Sequence, residues 1–368
     1  MVGYSEIMKD KQIGIIGPYP LPYGGVAVHI ERLCKLLDQS HYIYSVYDIR
    51  SKEAESFKNI YRLKNPYFWY LKYVLFSREK IIHLHTTHPL IWFIFGICVL
   101  KRTHFITTIH SVQCPNYFSQ ANWFIKKLMT EIINRSYLVI TVNDEFWDSF
   151  LSSLVPVGLN PKKIKTIHPF IPPTLTDSDY QAMDKRVQAF IDIHTPIVSA
   201  NAFRLTFHND HNLYGIDMCI ELCAHLKNEY PDVGLIVCIS VMDTPEYFST
   251  LQENIRELEI ESNILILTDG VSFPPILSLS DIFVRPTNTD GDALSIREAL
   301  AFGIPAVASD VVIRPQKCIT FKTRDQVDFN QKVLDTLHHH NEISQNIKKN
   351  ITSEGSELLD IYKEILGP

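Results

Sequence analysis

The 368-residue sequence has no apolar run long enough to cross a bilayer as a helix. Its longest, PLIWFIFGICVL at 89–100, falls short of the roughly 18–20 residues required. The polar start, MVGYSEIMKDKQ, lacks the apolar stretch of a secretory leader. Seven cysteines, an odd number at scattered spacing, argue against a secreted disulfide framework. Cys219 and Cys223 are helically spaced, and no second Cys or His pair stands at zinc-binding distance from them in the chain. There is no Gly-Lys-Ser/Thr phosphate loop and no G-x-G-x-x-G fingerprint. No basic stripe interleaved with stacking aromatics marks a nucleic-acid surface, and no short-period repeat marks a solenoid. These absences leave a globular protein expected in a reducing cytoplasm, with no nucleic-acid partner and no metal.

What is present is ordinary in bulk, with 46% hydrophobic and 21% charged residues, and uneven in detail. Residues 1–170 carry 20 Lys and Arg against 12 Asp and Glu; the remainder carries 15 against 29. A basic half followed by an acidic half suggests two bodies with different partners. Short β-rich runs at 12–17, 43–49, 81–86, 104–110, 137–142 and 164–169 read as buried parallel strands, with helical patterns between them. The stretch PFIPPTLTDSD at 169–179 reads as a linker, after which the alternation restarts and ends in a polar helical tail from about 323. The expectation is α/β: two Rossmann-like doubly wound domains facing a cleft, with ligands at the carboxyl ends of the strands. Domain 1–170 would hold the acceptor and domain 171–350 the donor. A C-terminal helix at 351–368 is free to cross back to the first domain.

Four stretches stand at such strand ends. In GPYPLPYGGVAVHI (17–30), Gly24 and Gly25 allow close backbone approach at a helix start that favours phosphate, although a double glycine also serves simple turns. HLHTTH gathers His83, His85 and His88, and TTIHS ends on His110. No carboxylate lies near the three histidines in sequence, so zinc is not expected there. His110 is the better functional candidate, a strand-end side chain able to bond a hydroxyl. In NAFRLTFHNDHNLYG (201–215), Arg204 can fork onto two phosphates or simply be a solvated loop residue. In RPTNTDGDALSIREALAFGIPAVASD (285–310), a loop holding Asp290 and Gly291 runs into a helix containing Glu298, closed by Gly303 and Pro305. Its first amides are expected unpaired, a place for an anion.

Taken in order, these stretches resemble the retaining nucleotide-sugar glycosyltransferases of family 4, which have the GT-B fold. The most specific part is DIFVRPTNTDGDALSIREALAFGIPAVASD, similar to the family's strand, E-x7-E acids and A-x-G-x-P segment. The resemblance implies that Glu298 binds ribose hydroxyls and that Asp290 lies near the transferred sugar. It gives the sugar and phosphate to the amides of Gly291, Asp292, Ala293 and Leu294, with Gly24 and Gly25 as the donor-phosphate loop. It makes His110 the active-site histidine and Arg204 the diphosphate arginine. Two departures stand out. Asp290 replaces the usual Glu, and Tyr214-Gly215 replaces a usual Lys-Gly, which leaves the diphosphate to Arg204 alone, or to Arg204 with Arg285 or Arg297 if the fold brings either close.

The implied activity is transfer of a sugar from a nucleoside diphosphate to a glycan or lipid-linked hydroxyl in surface polysaccharide or glycolipid synthesis, without metal or other cofactor. A non-catalytic sugar-nucleotide binder and a GT-B epimerase are the alternatives. Aromatics and lysines in NPYFWYLKYVLFSREKI and NWFIKKLMTEII leave open a peripheral contact with an anionic inner membrane, though packing on the sheet accounts for such faces more often.

Overall fold

In the computed structural model, the described residues are 12–20, 25–49, 59–63, 66–85, 89–96, 98, 104–110, 113–142, 144–167, 170–268, 271–291, 293–349 and 356–367. They form two compact units: Met1–Ile171 with Ser353–Pro368, and Pro172–Thr352.

The first unit is built on seven parallel strands: β1 (Ile13–Gly17), β2 (Tyr44–Asp48), β3 (Ile60–Arg62), β4 (Ile81–His85), β5 (His104–Ile109), β6 (Leu138–Thr141) and β7 (Ile164–Thr166). Their order is β3-β2-β1-β4-β5-β6-β7. Every residue of β1, β2 and β4 is buried, which is why these strands read as unbroken apolar runs rather than alternating ones. The chain walks outward from β1 to β3 and then returns to β4 on the opposite side of β1. The carboxyl ends of β1 and β4 therefore flank a switch point, where neighbouring loops diverge and leave a crevice. Gly17 at the end of β1 keeps the next helix, Gly25–Gln39, close. A Cβ there would stand 2.5 Å from Ile30 Cδ1 and 3.0 Å from His85 Cβ. That helix buries Ile30, Leu33 and Leu37 completely, each contributing about 1.5–3 kcal/mol. The C-terminal helix Ser356–Leu366 belongs to this unit and packs Leu358, Ile361 and Tyr362 into its core.

The second unit holds β8 (Ile197–Arg204), a short antiparallel hairpin of β9 (Phe207–His208) and β10 (His211–Asn212), then β11 (Gly234–Val241), β12 (Ile264–Thr268), β13 (Ile282–Arg285), β14 (Ala306–Ser309) and β15 (Ile319–Phe321). The six long-range strands are parallel in the order β12-β11-β8-β13-β14-β15. Here the switch point lies between β8 and β13, which end on Arg204 and Arg285. Two three-residue edge strands, β3 and β15, and the β9–β10 hairpin carry too little pattern to be read from the sequence. The expected strands are all present, but β7, expected to be buried, is a three-residue edge strand with only Ile164 buried.

Candidate active site

The loop after β13 leads through Asp290 and Gly291 to the helix Leu294–Phe302, as the sequence anticipates. The helix forms because Ile296 and Ala299 fall on one face and are fully buried, and it stops at Gly303, whose φ of 78° is left-handed. Its N-cap is Ala293, which offers no side-chain acceptor to the first amides. Glu298 lies in the second turn and is 6% exposed. An uncapped helix start beside a buried carboxylate is suited to a ligand with both phosphate and hydroxyl groups.

Asp290 does not reach into open space. Arg285 holds it with two parallel bonds, Nε to Oδ2 at 2.7 Å and a terminal nitrogen to Oδ1 at 2.9 Å. Arg314 adds a third contact at 2.8 Å, and the Thr287 hydroxyl a fourth at 3.2 Å. Burial alone would push the Asp290 carboxyl up, but the hydrogen bonds and charge of Arg285, then of Arg314, outweigh it and hold the pKa at about 2. The cage carries two guanidiniums for one carboxylate, a net positive charge. Arg285 also reaches Asn201 of β8 at 3.3 Å and Ser295 in the first turn of the helix at 3.4 Å, so it ties strand, loop and helix together. Arg314 is missed by sequence reasoning. Its signal would have been a basic residue a few positions past β14, at the same carboxyl edge.

The aromatic ring of Tyr214 lies 5.5 Å from the Arg285 guanidinium carbon, a cation–π contact where the family pattern has a lysine. Gly215 follows with φ of 67°, and a side chain there would collide with the Pro286 carbonyl. Arg204 stands at the end of β8, half exposed, and donates to Asp243 at 2.8 Å. Gly291 is exposed, with open space where its side chain would be. Gly24 and Asp292 lie outside the described residues, as does His88.

In the first unit, Gly25 opens the helix Gly25–Gln39, with open space where its side chain would be. His110 follows β5, and its Nε2 lies 3.0 Å from Nδ1 of His85, the last residue of β4. His29, from the helix, joins them with ring centroids 5.3 Å from His85 and 5.1 Å from His110. His83 is engaged on both sides, Nδ1 by the Tyr362 hydroxyl at 2.5 Å and Nε2 by Thr108 at 2.7 Å. Burial, followed by the neighbouring imidazoles, lowers the pKa of His85 and of His110 well below the usual histidine range, so both are neutral at pH 7. His85 Nε2 is buried with no hydrogen-bond partner, which costs about 1–3 kcal/mol.

Among the described residues no helix is long and apolar enough to cross a membrane. The helix Trp123–Arg135 buries Met129, Ile132 and Ile133 and leaves Trp123 and Phe124 each 67% exposed. Core packing therefore explains only one face of that stretch.

Comparison with known proteins agrees with this layout. Residues 23–175 match the family described as Glycosyltransferase Family 4, and residues 199–353 match Glycosyl transferases group 1. A lipopolysaccharide core biosynthesis mannosyltransferase, LpsB of Rhizobium meliloti (strain 1021), is 31% identical over 98 residues. That segment is 26% of this chain and 28% of the relative, so the match spans about a quarter of that protein. A glycosyltransferase structure from Rickettsia africae ESF-5 superposes with a TM-score of 0.62 at 16% identity, covering 97% of this chain and 99% of that one. Anabaena Alr3699/HepE in complex with UDP superposes with a TM-score of 0.55 at 16% identity, covering 92% and 94%. Two Rossmann-like units, each matched by one half of the same enzyme family, make this a GT-B fold, and the chain belongs to the family 4, group 1 glycosyltransferases.

Proposed function

We propose that the protein transfers a sugar from a nucleoside-diphosphate sugar to a hydroxyl of a glycan or lipid-linked acceptor, with retention at the anomeric carbon. One observation carries the reading. At the switch point of the second sheet, a net-positive Arg285–Asp290–Arg314 cage adjoins an uncapped helix start with Glu298 buried a turn inside. The UDP bound to the Anabaena protein supports a nucleoside diphosphate, and the lipopolysaccharide relative supports a surface-glycolipid acceptor.

In this reading Glu298 takes the ribose hydroxyls and the amides of Ala293 and Leu294 meet the diphosphate, while the Gly291 amide donates to Asp290 Oδ1 at 3.0 Å. Arg204 meets the charge that grows on the leaving phosphate. Arg204 exchanges Asp243 for phosphate at little cost, because their pair is half exposed. Asp290 is a poor nucleophile, since both oxygens are engaged and its pKa of about 2 marks low basicity. Retention then follows from attack on the face that the phosphate leaves. The acceptor oxygen bonds to the anomeric carbon as the phosphate oxygen departs with the bonding pair, and that phosphate oxygen takes the acceptor's proton. His110 contacts the sugar. The diphosphate needs no divalent ion, because cations and amides already meet its charge.

The test is turnover of a panel of UDP- and GDP-sugars with a lipid-linked acceptor, followed by the configuration of the product. Release of nucleoside diphosphate with the donor's anomeric configuration preserved is expected. An inverted product overturns the mechanism. Tight binding of a sugar nucleotide without turnover on any acceptor would make the protein a binder, not an enzyme.

A further inference from the structure

Gly17, Asp48 and Arg62 are the last residues of β1, β2 and β3, and they stand abreast in register, Gly17 beside Asp48 and Asp48 beside Arg62. The row lies at the carboxyl edge of the first sheet, where β1 runs into the glycine-rich loop. Asp48 is fully buried, and its Oδ1 accepts the Tyr19 amide at 3.2 Å. Arg62 donates from a terminal nitrogen to the Pro20 carbonyl at 2.9 Å, and its Nε lies 4.0 Å from Asp48 Oδ2. We propose that Asp48 and Arg62 are positioning residues for donor binding: together they pin Tyr19 and Pro20, and so set where the loop delivers Gly25 to the donor's phosphate. The inference rests on the donor reading, which alone gives that loop a phosphate to meet.

The loop needs an anchor outside itself. Pro18, Pro20 and Pro22, three of the seven residues 18–24, have no amide proton with which to close a turn. The Tyr19 amide goes instead to a side chain of β2. Both bonds from the pair end on loop backbone, so they fix its course without reading its side chains. The pair itself stands on rigid ground. Ile49 donates to the Gly17 carbonyl at 3.3 Å and Leu63 to the Asp48 carbonyl at 3.1 Å, so the ladder runs to the end of each strand. Gly25 then opens the following helix, with open space where a side chain would be.

Stability alone does not account for the choice of residues. Taking a carboxylate wholly out of water is unfavourable, and an ion pair stretched to 4.0 Å offsets little of that. Apolar side chains at these register positions would hold β2 against β3 as firmly, but they could not accept an amide. The pair is also neutral as a whole. A lone carboxylate behind a phosphate loop would repel the donor, and the Arg62 guanidinium cancels that charge while bonding the loop.

The experiment compares wild type with Asp48→Ala, Asp48→Asn and Arg62→Lys in the full chain, by hydrogen exchange and by steady-state kinetics. Mass spectrometry of peptides spanning 17–25 reads the Tyr19 amide. In Asp48→Ala that amide should exchange about 10-fold faster or more, the effect of losing a charged acceptor, while β1 and β4 keep their protection. The KM for the nucleotide sugar should rise by a similar factor, with kcat and the acceptor KM within about twofold, because a loop ordered only on binding weakens ground and transition states alike. Asp48→Asn should recover both, since its carboxamide oxygen still accepts the amide. Arg62→Lys keeps the charge but cannot fork onto Asp48 and Pro20 together, so it should show the same changes in smaller measure. It takes the place of Asp48→Ala should that variant fail to fold. Unchanged exchange at Tyr19 overturns the anchor. Faster exchange with an unmoved donor KM, or Asp48→Asn behaving as Asp48→Ala, overturns the positioning role. Failure of wild type to turn over any sugar nucleotide strikes the donor reading and the positioning role with it, and leaves the anchor to the exchange result, so the two failures read differently.

Discussion

Arg285 and Asp290 are five residues apart and meet through two parallel hydrogen bonds of 2.7 and 2.9 Å, with Arg314 closing on the same carboxylate at 2.8 Å. The side chains are 11%, 8% and 3% exposed in the order Arg285, Asp290, Arg314. Removing the carboxylate leaves two buried guanidiniums without the charge they share. Asp290→Asn is therefore expected to destabilise the second unit by about 3–5 kcal/mol. Urea unfolding measures this directly. A loss below about 1 kcal/mol would mean that the cage is a surface ion pair of ordinary weakness.

The same cage sets an acid limit. The Asp290 pKa falls from 3.8 in a free carboxyl to about 2 in the folded protein, so between those values the unfolded state binds the extra proton. Stability from this group is complete above about pH 4 and drains away as pH falls toward 2, by about 2 kcal/mol in all. Other carboxylates titrate over the same range, so the informative quantity is the stability difference between wild type and Asp290→Asn. It should shrink as pH falls from 4 to 2; a difference constant over that range would contradict the assignment.

Glu298 offers the sharpest test of the donor site. Glu298→Gln keeps the shape of a buried side chain while removing the charge that a ribose hydroxyl would bond. Loss of a charge-assisted hydrogen bond costs about 1.5–3 kcal/mol, or about 10- to 150-fold in kcat/KM. Circular dichroism should be unchanged, and the loss should appear for every sugar carried on the same nucleotide. A loss confined to one sugar would move Glu298 from the ribose to the transferred group.

Gly215 is a conformational requirement as well as a motif letter. Its φ of 67° is left-handed, and a Cβ would run into the Pro286 carbonyl just past β13. Gly215→Ala should cost about 2 kcal/mol or more and shift the Tyr214 ring off Arg285. Thermal melting checks the first part. Preserved stability would mean that the turn relaxes into an ordinary backbone region.

Much of this was legible before the structure. Strands such as β1 and β4 are buried on both faces, so their apolar runs announce a parallel sheet, and the parallel sheet in turn locates the ligand edge. The loop, the helix carrying Glu298 and its stop at Gly303 are readable because they follow one another in the chain. What escaped were relationships across sequence. Arg314 enters the cage from 24 residues beyond Asp290, through the pairing of β13 with β14. His29 joins His85 and His110 because a helix face turns inward, and no local pattern distinguishes such a histidine from one that merely fills the core. Asp290, read as a group facing the sugar, is turned by its two arginines into part of the scaffold.

The exposed end of the helix Trp123–Arg135 bears on where the enzyme meets its acceptor. Trp123 and Phe124 are each 67% exposed and Leu128 42%, with Lys126 and Lys127 beside them on the same turn. Aromatic rings at a headgroup boundary and lysines near anionic lipid, each worth about 1 kcal/mol, together suit a peripheral bilayer contact. In liposome flotation the full chain should rise with vesicles containing anionic lipid, less so as salt increases. The double variant Trp123→Glu, Phe124→Glu should stay in the dense fraction while retaining turnover on a water-soluble acceptor. Flotation of that variant equal to wild type would assign the membrane contact, if any, to another face, and no flotation of the wild-type chain would remove it.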